Sequence, residues 1–215
     1  MTSYLQFTHD EVLTDTDPPH RYARLLNQHL LESGFAARIR ESDSDRIVAW
    51  SGTLGDSLFE PQPMNWMQAG QSAFSQAIDS LTQPLETNGS TLLIRPHARH
   101  VLNDIPGTLR FVREHSGQPF GIAFDPAALL EPSMLDRIEE HVTRSFEALG
   151  PIAAVIVIRD VQRDDDDRES GNLTECIPGQ GVLPGRVLGE LLRQMPETVP
   201  IALQDRSARS WLGLD

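Results

Sequence analysis

Between residues 46 and 204 the chain carries a series of short apolar runs that do not alternate with polar residues: "RIVAW" from 46, "TLLIR" from 91, "FGIAFD" from 120, "IAAVIVI" from 152 and "VPIALQ" from 199. A strand built from such a run has no face for water, the condition inside a parallel sheet covered on both sides. The segments between them keep helical spacing. Met67, Phe74, Ile78 and Leu81 form one apolar stripe; Leu135, Ile138, Val142, Phe146 and Leu149 form a second; Val187, Leu188, Leu191, Leu192 and Met195 form a third. Each stripe needs a sheet to cover it. Ser133 and Asp136 stand where a capping residue and an N3 acid belong, Gly150 and Pro151 end that helix, and Pro184 and Pro196 bracket the next. Tyr22, Leu25, Leu26 and Leu30 share the spacing and predict an N-terminal helix, after a weak strand at Tyr4 to Thr8. Strict alternation of strand and helix implies a parallel α/β sheet. Spacing alone leaves it open whether that sheet is doubly wound or closed into a barrel.

With 215 residues and no sharp shift in composition, the chain reads as one domain, 1 to 215. Its net charge of −13 repels nucleic acid phosphate and anionic lipid, so neither is expected as a partner. All 18 basic residues are Arg, which excludes Walker-type phosphate loops and any lysine Schiff base. The single cysteine, Cys176, forms no internal disulfide. No charged start followed by an apolar stretch marks a signal peptide, and no apolar run approaches the roughly 20 residues of a membrane helix. A cytoplasmic protein is expected.

In parallel α/β folds the loops after strands build the site. "FGIAFDPAALL" places Asp125 at a strand end, where it reads either as a functional carboxylate or as a turn former beside Pro126. "AAVIVIRDV" ends in Arg159 and Asp160, followed by four consecutive acids, Asp164 to Asp167. That run lacks the spaced ligands and turn glycine of an EF-hand, so a solvated charge run is preferred to a calcium loop. "PGQG" before a helix offers backbone N–H groups to a phosphate, a short and common signal. His97 and His100 are near enough to share a metal, but Arg95 and Arg99 beside them would repel a cation, which favours an anion site or an internal ion pair.

Read in order, "TLLIRPHARHVLNDIPGTLRFV", "FGIAFDPAALL", "AAVIVIRDV", "IPGQGVLPGRVLGELL" and "VPIALQ" resemble the last four strand-helix units of the xylose-isomerase-like barrel family of sugar phosphate isomerases and epimerases, with "RIVAWSG" in the place of strand four. The resemblance implies a TIM barrel. It also implies a truncated one, because a full barrel takes about 250 residues and eight strands, and here some N-terminal βα units are missing. An open edge is then expected, covered by the N-terminal helix or by a second copy of the chain in a homo-oligomer.

In that family a Glu, an Asp, a His and a Glu at strand ends hold a divalent metal that polarises the sugar's oxygens. The resemblance puts Arg95 at the first Glu, keeps His97 and Asp125, puts Ala128 at a following His, Val157 at the strand-seven His, Arg159 and Asp160 at a Lys-Asp pair, and Gln204 at the last Glu. One metal ligand of four remains, so no metal and no cofactor are expected. Arg95 would stand in the metal's place and pair with Asp125.

The leading expectation is therefore a degenerate, metal-free barrel, catalytically silent or binding a small anionic or sugar-like ligand. Arg95, His97 and Arg159 would meet anionic groups, Asp125 and Gln204 would meet hydroxyls, and Trp50 is either a stacking platform or core. One alternative is an active isomerase or epimerase with His97 and Asp125 as acid and base. The other is a structural protein completed by a partner subunit.

Overall fold

The structure is a computed structural model that describes residues 4–7, 11–14, 21–163, 173–204 and 207–214. Among the described residues, ten strands and six α-helices follow the chain as β1 (Tyr4–Phe7), β2 (Glu11–Thr14), β3 (Arg21–His29), α1 (Phe35–Glu41), β4 (Arg46–Trp50), α2 (Gln68–Asn88), β5 (Thr91–Arg95), α3 (Ile105–Glu114), β6 (Phe120–Phe124), α4 (Ile138–Leu149), β7 (Val155–Ile158), β8 (Asp160–Arg163), β9 (Leu173–Cys176), α5 (Gly185–Leu192), β10 (Ile201–Leu203) and α6 (Ser207–Leu212). Strands β3, β4, β5, β6, β7, β10 and β1 run parallel in that spatial order, and β2 joins β1 to β3 antiparallel to both. The fold is a TIM-barrel-like α/β sheet in which the first βα units are reduced to a β-hairpin and one further strand.

The expected open edge is thus met differently. Neither an N-terminal helix nor a second subunit is needed, because β2 pairs on both sides and its hydrogen bonds complete the ring.

Strand residues sort by parity, as the period of two requires. Leu5, Val48, Leu93, Ala123, Val155, Val157 and Ala202 fill the barrel interior. Their neighbours Ile47, Leu92, Ile94, Ile122, Phe124, Ile156, Ile158, Ile201 and Leu203 face the helices and pack with Phe74, Ile78, Leu81, Phe111, Phe146 and Leu188. Both sets are buried, which is why the runs do not alternate in the sequence. The interior is narrow: a Cβ on Gly121 would stand 2.9 Å from the Leu93 side chain, so that strand position accepts only glycine without a shift.

The segment around Tyr22, Leu25, Leu26 and Leu30 is the strand β3, not the helix its spacing predicts. Val12 pairs with Ala23 and Leu13 with Arg21, leaving Tyr22 as an extra residue in a β-bulge. The bulge breaks the period of two and leaves Tyr22 and Leu25, three apart, both against the interior cluster. Tyr22 then donates its hydroxyl proton to the Ala154 carbonyl oxygen at 2.7 Å, and the Arg46 guanidinium lies 4.7 Å from its ring centre. A second difference concerns α4. A 3-10 turn at Pro132–Arg137 precedes it, and the helix proper starts at Ile138 without a side-chain cap, so Ser133 and Asp136 do not cap it. Glu139 and Glu140 face the helix dipole there instead. The acidic run Asp164 to Asp167 lies outside the described residues.

Candidate functional site

The barrel's parity continues past the packed interior layer to the C-terminal ends of the strands. Two residues beyond Val48, Leu93, Ala123, Val157 and Ala202 stand Trp50, Arg95, Asp125, Arg159 and Gln204. Strand geometry therefore aims all five inward, at the end of the barrel where strand-following loops converge.

Asp125 is the centre of this set and its side chain is fully buried. Its Oδ2 accepts hydrogen bonds from Arg95 Nε (3.1 Å), Arg95 Nη2 (2.5 Å) and Arg159 Nε (2.8 Å). Its Oδ1 accepts from the backbone N–H groups of Ala127 (2.9 Å) and Ala128 (3.2 Å), in the turn that Pro126 begins. Five N–H groups thus surround one carboxylate. Burial by itself would raise the Asp125 pKa, but the Arg159 and Arg95 guanidiniums outweigh it and hold the group below the usual carboxylate range. Burial lowers the Arg95 pKa to about 10, with Asp125 opposing that shift, so the guanidinium remains charged at neutral pH.

Trp50 lies beneath both cations, with the Arg95 guanidinium 4.0 Å and that of Arg159 5.7 Å from its ring centre. The indole is 4% exposed and meets Phe59, His97 and His100 edge-on, which places it in the wall of the site rather than on an open face.

The two histidines divide by role. His100 Nε2 lies 2.7 Å from the Leu58 carbonyl oxygen, which can only accept, so the proton is on Nε2; Nδ1 then accepts the Gly52 N–H at 3.4 Å. Burial pulls its pKa down to about 4. It is a neutral buried ring that fastens the loop after β4 to the loop after β5. His97 Nδ1 accepts the Arg99 backbone N–H at 3.1 Å, which leaves its proton on Nε2. Burial first, then His100, Arg159 and the neighbouring arginines, keeps this ring neutral with a pKa well below the ordinary value. A neutral His97 is a donor at Nε2. It has no free lone pair with which to take a proton.

Asp160 and Gln204 serve the framework. The Asp160 carboxylate accepts four backbone N–H groups, from Val161 (2.9 Å), Leu183 (3.2 Å), Gly179 (2.9 Å) and Gly181 (2.8 Å). The glycine N–H groups of "PGQG" are therefore directed at an internal carboxylate, and the phosphate cradle suggested by that motif is already filled by the chain's own anion. A Cβ at Gly181 would lie 2.3 Å from Asp160 Oδ1 and from the Val161 carbonyl oxygen. Gln204 Nε2 donates to the Cys176 carbonyl oxygen at 2.9 Å, tying β10 to the antiparallel pair β8 and β9.

A divalent ion in the family manner does not fit these residues. Both oxygens of Asp125 are occupied by donors, two guanidiniums lie beside it, and Val157 sits in the packed interior with no donor atom. Among the described residues, no group of three or more His, Cys, Asp or Glu is placed to hold a metal.

The structure joins His97, Arg99 and Arg159 with residues that the sequence did not single out. Phe59, His97, Arg99, Ala127, Leu130, Pro132, Arg159, Val161, Leu173 and Thr174 line a cavity of roughly 150 Å³ beside Arg159. Arg99 Nη1 donates to the Phe59 carbonyl oxygen (3.0 Å), and its Nε is 3.6 Å from Glu131. Glu175 on β9 reaches Arg159 Nη1 at 3.4 Å. Asn65, fully buried, fastens the long loop after β4: its amide donates to Thr53 Oγ1 and to the Arg99 carbonyl oxygen, and its oxygen accepts the Leu54 N–H. A polar residue amid "PQPMNW" was the one trace of this in the sequence, and burial is not visible there.

No family profile matches the sequence, and no curated protein matches it. Solved structures do match in fold. The probable 3-DHS dehydratase AsbF from Bacillus anthracis aligns at TM-score 0.58 and 12% identity, over 88% of this chain and 73% of that one. A xylose isomerase domain protein from Planctomyces limnophilus aligns at 0.54 and 14%, over 86% and 64%. The 3-keto-D-glucoside 4-epimerase YcjR from E. coli aligns at 0.52 and 16%, over 90% and 78%. The chain spans less than two thirds of the length of the Planctomyces protein. The common element is the barrel, and at these identities the likeness is one of fold. No helix among the described residues is long and apolar enough to cross a membrane.

Proposed function

We propose that this chain, which has the fold of the xylose-isomerase-like barrels, is a metal-free and catalytically silent relative of the sugar isomerases and epimerases that binds a small anionic or sugar-like ligand at the mouth of the barrel. One observation carries the reading: the carboxylate of Asp125, at the position the resemblance keeps as a metal ligand, has both oxygens taken by five N–H groups, three of them from Arg95 and Arg159. A metal is replaced there by fixed positive charge.

The same geometry disfavours the acid-base alternative. Asp125 is held ionised and fully hydrogen-bonded, and the neutral His97 could accept a proton only by giving up the Arg99 N–H and adding a cation beside three arginines. The partner-completed alternative loses its motive once β2 closes the ring. A cytoplasmic location is part of the proposal, consistent with a single cysteine that forms no internal disulfide.

Metal analysis of the purified protein by plasma mass spectrometry, paired with melting curves before and after chelator, tests the reading. The expected result is no stoichiometric zinc, manganese or magnesium and an unchanged curve. A stoichiometric metal whose removal lowers the melting temperature would restore the metal-dependent isomerase.

A further inference from the structure

We propose that the cavity beside Arg159 is a subsite for the carboxylate of a short hydroxy acid, and that Glu175 fills the place of that carboxylate when no ligand is bound. The inference rests on the anion-binding reading of the mouth and names the ligand's chemistry.

Among the described residues, three guanidiniums and three carboxylates are linked by ion pairs at this end of the barrel. Arg95 and Arg159 share Asp125, Arg99 is near Glu131, and Arg159 also reaches Glu175. Within that set the charges balance only with Glu175 included; Asp160, beside Arg159, is held by backbone N–H groups instead. The three acids are held very differently: the side chain of Asp125 is 0% exposed, that of Glu131 32% and that of Glu175 50%. Among the described residues Glu175 makes one long contact, 3.4 Å to Nη1, whereas Arg159 Nε is fixed on Asp125 at 2.8 Å. Releasing Glu175 to water therefore disturbs least and leaves Arg159 Nη1 without that acceptor. A ligand carboxylate can take its place.

The shape of the site agrees with a carboxylate. The outer edge of the Arg159 guanidinium offers parallel donors to a planar acceptor. His97 lines the same cavity and carries a proton on Nε2, a neutral donor suited to a hydroxyl or carboxylate oxygen. A phosphate dianion would need a second uncommitted cation, and Arg95 and Arg99 are engaged with Asp125, Glu131 and the Phe59 carbonyl oxygen. The cavity of roughly 150 Å³ corresponds to about five waters at ~30 Å³ each, room for an acid of three or four carbons. Leu130, Val161 and Leu173 give it an apolar side for the carbon chain.

Titration calorimetry on the full chain with D-glycerate, inorganic phosphate and uncharged glycerol tests this, using the parent and Glu175→Gln. Glu175 is half-exposed, so the substitution leaves the fold intact, which the melting curve verifies. We expect glycerate to bind Glu175→Gln about tenfold more tightly than the parent, glycerol to bind neither, and Arg159→Gln, if it folds, to abolish the glycerate signal. Equal glycerate affinity in parent and Glu175→Gln, or no glycerate binding to either, overturns the inference. Phosphate binding that needs Arg159 but ignores Glu175 would also overturn it while leaving a metal-free anion site in place; a stoichiometric metal in the protein would instead remove the reading on which it rests.

Discussion

Replacing Asp125 by Asn separates an internal ion cluster from a vacant metal ligand, because the two predict opposite signs. In the structure the carboxylate neutralises Arg95, whose side chain is 8% exposed, and Arg159, at 15%. An amide keeps an acceptor for Ala127 and Ala128 but turns an NH2 group toward two guanidiniums that can only donate. Breaking a buried pair by removing one partner costs about 3–5 kcal/mol, since the remaining charge stays desolvated. For a chain of this length that corresponds to a fall in melting temperature of about 6–20 °C. Adding Arg95→Met should recover at least ~1 kcal/mol, because an apolar side chain then replaces the stranded cation. Urea unfolding followed by tryptophan fluorescence and circular dichroism supplies the free energies. Had Asp125 been poised among other metal ligands, Asn would relieve repulsion and stabilise the protein. A change of less than ~1 kcal/mol, or a gain in stability, would refute the ion-cluster argument.

Stability should also fall in mild acid. The His100 pKa is about 4 in the folded chain against 6.5 unfolded, so above pH 6.5 the ring is neutral in both states and contributes no pH dependence. Between 6.5 and 4 only the unfolded chain takes up the proton, giving a loss that approaches about 1.4 kcal/mol per pH unit. His97 acts in the same direction, and Asp125, whose pKa is depressed, adds its loss at still lower pH. Urea midpoints across pH 4–7 that do not move would contradict this, and His100→Asn should flatten the slope. Asp160→Asn should cost about 2–4 kcal/mol, because an amide NH2 would face N–H groups that now point at a carboxylate. An unchanged urea midpoint there would mean that the four backbone hydrogen bonds do not hold the 179–183 turn.

What the sequence determined was what parity and apolar runs can encode. The β4 to β7 and β10 segments are buried on both faces, so their runs mark them as parallel strands whatever their partners. The same parity carries Trp50, Arg95, Asp125, Arg159 and Gln204 inward at the strand ends, so their gathering at one end of the barrel follows from the runs themselves. The sequence misled where tertiary pairing overrides local pattern. Around Tyr22 a bulge opposite Val12 and Leu13 turned a strand into an apparent helix, and a half-polar β2, which pairs only because β1 and β3 flank it, gave no signal of its own. Partner choice among charges was likewise decided by the fold. Asp125 and Asp160 both follow buried strands, yet one meets guanidiniums and the other four backbone N–H groups. Glu175 carries no signal in the sequence, and only the antiparallel pairing of β8 with β9 brings it to Arg159. A carboxylate's role depends on which donors reach it within about 3 Å, and residues far apart in the chain are brought that close only when the barrel closes.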